Sequence, residues 1–96
     1  MEIKLKAMKF DIDTRLVAFV EKKVSRLEKF FEPEAQKAEV QLDDVKEGKK
    51  AKIQIHVPGD ELIIERVADT FENAITECVD AMKEKLTRAK EKKFDR

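Results

Sequence analysis

The spacing of apolar residues switches between two and nearly four along this chain, and the order of the switches restricts the fold more than any other feature. Ile3, Leu5 and Ala7 alternate with Glu2, Lys4 and Lys6, which predicts a strand over 2–10. Met8 and Phe10 break the alternation and predict a bulge or an end near Ala7. Leu16, Val20, Val24, Leu27 and Phe31 then recur every three or four residues. With Asp13 or Thr14 as N-cap and Pro33 as stop, they predict a helix over 14–31. Alternation returns at 37–43, 50–57 and 62–67, with Ala38, Val40, Leu42, Ala51, Ile53, Ile55 and Val57 on the apolar side. The turns are predicted at Asp44–Lys49 and at Pro58-Gly59-Asp60. Asp69 or Thr70 caps a second helix reaching Lys92, whose stripe is Phe71, Ile75, Cys78, Met82, Leu86 and Ala89.

Every strand has one apolar face and each helix has one apolar stripe. The simplest closure is an α+β fold of two layers, β-α-β-β-β-α, with a four-stranded mixed sheet and both helices on one face. The first β-α-β unit crosses over right-handed to a parallel neighbour; the short later turns require antiparallel pairs. The opposite sheet face is then wet, and it carries His56, Lys50 and Lys52. The chain of 96 residues reads as a single domain, 1–96, with the end from 93 onward frayed.

Composition removes several function classes. One cysteine, Cys78, allows no internal disulfide, and no Cys/His cluster offers a metal site. Gly48 and Gly59 are the only glycines, so there is no glycine-rich phosphate loop. No nucleophile, base or acid converges, and no apolar run approaches the ~20 residues of a membrane span. The expectation is a cytoplasmic protein that is not an enzyme, with no cofactor, no small-molecule substrate and no membrane partner.

Charge is balanced overall, with 21 Lys and Arg against 21 Asp and Glu, but it is segregated. Residues 14–31 hold Arg15, Lys22, Lys23, Arg26 and Lys29 against Glu21 and Glu28, a net +3. Residues 81–93 hold Lys83, Lys85, Arg88, Lys90, Lys92 and Lys93 against Glu84 and Glu91, a net +4. A polyanion responds to such a local field rather than to the total. At about 100° per residue, Arg15, Lys22, Arg26 and Lys29 share one flank of the first helix, with Lys23 beside its core stripe. Like charges held together there cost a few tenths of a kcal/mol per pair, roughly. On the second helix Lys85, Arg88 and Lys92 border one edge of the stripe, Lys83 and Lys90 the other. The acids Asp69, Glu72, Glu77 and Asp80 fill its first half, which complements the helix dipole and explains part of the pattern without any ligand.

The stretch Phe19-Val20-Glu21-Lys22-Lys23-Val24-Ser25-Arg26-Leu27-Glu28-Lys29-Phe30-Phe31 resembles the first-helix signature of the ribosome hibernation-promoting factors, also called the sigma-54 modulation or ribosome-associated inhibitor family. Asp69-Thr70-Phe71, Ala74-Ile75, Val79-Asp80-Ala81-Met82 and Lys85-Leu86-Thr87-Arg88-Ala89-Lys90 are similar to its second helix. The resemblance covers essentially the whole chain and points to a short-form member. It implies a protein that occupies the tRNA/mRNA channel of the small ribosomal subunit, touches its rRNA and inhibits translation in stationary or stressed cells. It implies rRNA contacts by Lys23, Arg26 and Lys29 and by Lys85, Arg88 and Lys90; Lys22 and Lys83 join them as neighbours. Glu84 and Thr87 stand where many members carry a cation, and Glu72 where an aromatic residue is common. A link to sigma factors rests on the family name alone. Two other readings fit the same pattern: a double-stranded-RNA-type module with another target, and a protein-interaction domain using the exposed sheet face.

Overall fold

A computed structural model of the chain describes residues 2–8, 10–30, 37–57 and 59–94; at 29, 30, 57 and 89–94 it describes the backbone only. The elements are β1 (Glu2–Met8), α1 (Thr14–Ser25), a 3-10 turn (Arg26–Phe30), β2 (Lys37–Val45), β3 (Gly48–Val57), β4 (Asp60–Ala68) and α2 (Phe71–Phe94). The sheet order follows the chain, β1-β2-β3-β4. β1 runs parallel to β2, with Ile3 beside Ala38 and Leu5 beside Val40. The β2–β3 and β3–β4 pairs are antiparallel. Both helices cover one face, as the apolar periodicity requires.

The core is built from the alternating residues. Ala38, Val40 and Leu42 of β2, Ala51, Ile53 and Ile55 of β3, and Leu62 and Ile64 of β4 are buried against the helices. From above them come Val20, Val24 and Leu27, and Ala74, Ile75, Cys78, Val79, Met82 and Leu86. β1 is an edge strand, and Ile3 and Leu5 are only partly covered. Phe10 is drawn from the β1–α1 connection onto Phe71, the rings stacking at 4.7 Å between centroids. No buried side chain in the described core is polar or charged.

Caps fix where the helices start. Asp13 Oδ1 accepts from the Leu16 N–H at 2.8 Å and Thr70 Oγ1 accepts from the Asn73 N–H at 3.0 Å. Thr70, not Asp69, is therefore the second cap; Asp69 instead accepts from Asn73 Nδ2 at 2.7 Å, which holds its carboxyl below the usual range.

Beyond small extensions of β4 to begin at Asp60 and of α2 to Phe94, three boundaries matter against the sequence expectation. β1 stops at Met8, short of residue 10 but in line with the end predicted near Ala7, and Lys9 lies outside the described residues. The β2–β3 turn is much tighter than 44–49, because Val45 already pairs with Gly48. Gly48 makes this closure: its φ is 147°, and a Cβ there would lie 2.6 Å from the Ala68 carbonyl oxygen. The third difference reshapes the charged surface. α1 does not run to residue 31; it ends at Ser25, whose Oγ donates back to the Lys22 carbonyl at 3.0 Å. The Arg26 N–H bonds to the Lys23 and Val24 carbonyls, and the chain tightens into the 3-10 turn. Phe31 lies outside the described residues.

Candidate nucleic-acid interface

Two helices side by side on a sheet leave a furrow between them, and here it is basic. A groove of about 400 Å³ is lined by Lys23, Arg26 and Leu27 on one side and Thr76, Val79, Asp80 and Lys83 on the other. Leu27 and Val79 form the apolar floor and the charged heads form the rim. The rim carries three cations and one carboxylate. Lys23 is half-buried, and its ammonium lies 5.6 Å from the centre of the Phe19 ring, which steadies the charge without neutralising it.

Arg26 and Leu27 reach the groove from the 3-10 turn. A 3-10 turn advances roughly 120° per residue instead of roughly 100°. Within this turn Leu27 enters the core, where it is 1% exposed, and Arg26 lines the groove facing α2. The straight-helix projection had put Arg26 beside Lys22. Lys22, one turn before Arg26, also lines a shallow hollow with Ile3, Ala18, Glu21 and Ser25, on the β1 side of α1. Lys29 falls in the 3-10 turn, but its side chain lies outside the described residues, as does that of Lys90 on α2.

The far flank of α2 is arranged differently. Lys85 reaches the sheet edge, where its Nζ donates to the Ile63 carbonyl at 3.4 Å. Arg88 pairs with Glu84 one turn away at 2.7 Å, both side chains well exposed. Such an exposed pair contributes little to stability, but it removes much of the local positive charge of Arg88. Thus Lys23, Arg26 and Lys83 meet in the groove, Lys22 lies to one side of it, and Lys85 and Arg88 lie across the width of α2. The sequence reading missed Asp80 and Thr76 as groove residues. Their positions seven and three residues before Lys83, on the same helix face, were the available signal, masked by the reading of Asp80 as a dipole complement.

The rest of the surface offers little chemistry. Cys78 is buried, donates to the Ala51 carbonyl at 3.2 Å, and its thiol pKa is pushed up to about 11 by burial. His56 sits on the wet sheet face against Glu61, Nδ1 to Oε1 at 3.1 Å. Among the described residues no group of three or more His, Cys, Asp or Glu is placed to hold a metal ion, and no helix is long and apolar enough to cross a membrane.

Comparison with known proteins agrees with this architecture. The chain is similar to the N-terminal domain of Protein Y from Thermus thermophilus, at 28% identity and a TM-score of 0.80, covering 92% of this chain and 98% of that one. It shares the fold of a ribosomal subunit interface protein from Coxiella burnetii, at 19% identity and a TM-score of 0.82, covering 94% of this chain and 98% of that one. No curated protein sequence gives a significant match. The family described as sigma 54 modulation protein / S30EA ribosomal protein matches residues 3–93. This chain therefore belongs to the sigma 54 modulation protein / S30EA ribosomal protein family, a non-enzymatic, ribosome-associated family.

Proposed function

We propose that the chain is a cytoplasmic ribosome hibernation factor: it binds the small subunit, occupies the tRNA/mRNA channel and inhibits translation under stress or in stationary phase. The observation that carries this reading is the convergence of Lys23, Arg26 and Lys83 on the groove between α1 and α2. These residues come from segments more than fifty positions apart, yet they form one cationic rim of a size that suits a phosphate backbone. Lys22, Lys29, Lys85, Arg88 and Lys90 extend the same helix layer and supply further rRNA contacts. Folded RNA exposes phosphates and 2′-hydroxyls, so such a surface binds by charge and shape. Family membership supports a ribosomal target, and one structural neighbour is named for the subunit interface.

Occupancy of the tRNA path is tested by competition. Purified protein is bound to small subunits and titrated with tRNA and a short mRNA. Mutual displacement is the expected result. Simultaneous binding of protein and tRNA would rule out the channel and leave a different rRNA target.

A further inference from the structure

β4 is an open edge of the sheet, and two cations occupy its backbone. Ile63 and Glu65 are two residues apart, so their carbonyls point to the same side of the strand. Lys85 Nζ donates to the Ile63 carbonyl at 3.4 Å, and Arg66 Nη1 donates to the Glu65 carbonyl at 2.8 Å. Side-chain donors reach both, which marks this as the side facing away from β3. Beside these carbonyls lie Ile63 and Val67, the exposed large hydrophobics among the described residues, at 41% and 44%.

This strand is self-complementary. If two copies pair antiparallel about Glu65, Ile63 of each faces Val67 of the other on the same sheet face, so the apolar contact is made twice and each exposed residue is covered. Each Glu65 is already ion-paired with Lys50 of its own chain, which tempers the central like-charge contact. Every register that uses the middle of the strand requires the Ile63 and Glu65 carbonyls as acceptors. An open edge with apolar neighbours is a template for self-association, and cations are a common way of blunting one.

We infer that Lys85 and Arg66 guard the β4 edge against pairing with a second copy of this chain, and that withdrawing them converts β4 into a homodimer interface. The inference is independent of any RNA contact by Lys85, since it concerns the protein alone. Both side chains are exposed, so their removal leaves the core intact.

Sedimentation equilibrium of the full chain tests it, comparing the parent with Arg66→Ala/Lys85→Ala. The double variant is expected to dimerise with a Kd at least about tenfold lower than the parent. Hydrogen exchange at the Ile63, Glu65 and Val67 amides should slow in the associated form. Adding Glu65→Pro, which removes an edge-facing donor, should abolish the gain. Lys85→Met keeps the aliphatic stem and gives the same test if the double variant folds poorly. A natively melting double variant with the parent's association state would overturn the inference. So would association that leaves the β4 amides unprotected or survives Glu65→Pro.

Discussion

Replacing Leu27 with alanine probes the joint on which the groove depends. Leu27 is 1% exposed, and it is held there by the 3-10 turn rather than by α1 itself. Alanine removes three carbons, worth about 0.8 kcal/mol each by transfer, or about 2.4 kcal/mol together. A cavity term adds to this; the usual range for a buried Leu→Ala change is about 2–5 kcal/mol. Leu27 lies under an open groove into which Val79 and the Lys23 stem can settle, so partial collapse favours about 3 kcal/mol. In a domain of this size each kcal/mol lowers the melting temperature by about 4–8 °C, so the predicted drop is about 12–24 °C. Thermal melting followed by circular dichroism, with urea unfolding as a second probe, measures it. A variant melting within a few degrees of the parent would show that Leu27 does not pin the turn. The placement of Arg26 at the groove would then lose its basis.

Further predictions concern other parts of the chain. Gly48→Ala should cost more than about 1 kcal/mol, because it combines an unfavourable φ with a contact against the Ala68 carbonyl; an unchanged urea midpoint would refute this. Glu84→Arg should release Arg88 and add positive charge to the helix layer, tightening ribosome binding with a stability change within about 0.5 kcal/mol; unchanged binding would show that this flank faces away from RNA. Cys78 gives a signed pH dependence. Its thiol pKa is raised from 9.0 to about 11 by burial, so folding favours the protonated form. The stabilisation is complete below pH 9 and is lost as pH rises through about 11. Cys78→Ala should lack this alkaline decline, and identical pH profiles for the two proteins would contradict the burial argument.

Much of the fold was legible because each period maps onto one geometry. The alternation of Ala38, Val40 and Leu42, and of Ala51, Ile53 and Ile55, placed the inner sheet face correctly. The recurrence of Ile75, Cys78, Met82 and Leu86 identified the buried face of α2. Ala74 and Val79 widen that face, and a narrow stripe did not include them. The site was less legible. Extending one helical period through Arg26 assumed a continuous α-helix, whereas the chain changes to a 3-10 turn at that residue. Nothing in the period marks that change; Ser25 bonding back to Lys22 becomes visible only in three dimensions. The contact of Lys85 with Ile63 was equally hidden, since it depends on β4 being an edge.

The central claim is that the helix layer docks on rRNA through the groove cations. Co-sedimentation with purified small ribosomal subunits at low and high salt tests it, for the parent, Lys23→Glu/Arg26→Glu and Lys52→Glu. Lys52 lies on the wet sheet face opposite the helices and serves as the control. Phosphate contacts release counterions, so parent binding should fall steeply as salt rises. The groove variant should lose binding at both salt concentrations while melting like the parent, and Lys52→Glu should bind as the parent does. Equal losses from the groove and sheet-face variants, or binding indifferent to salt, would contradict a docked helix surface.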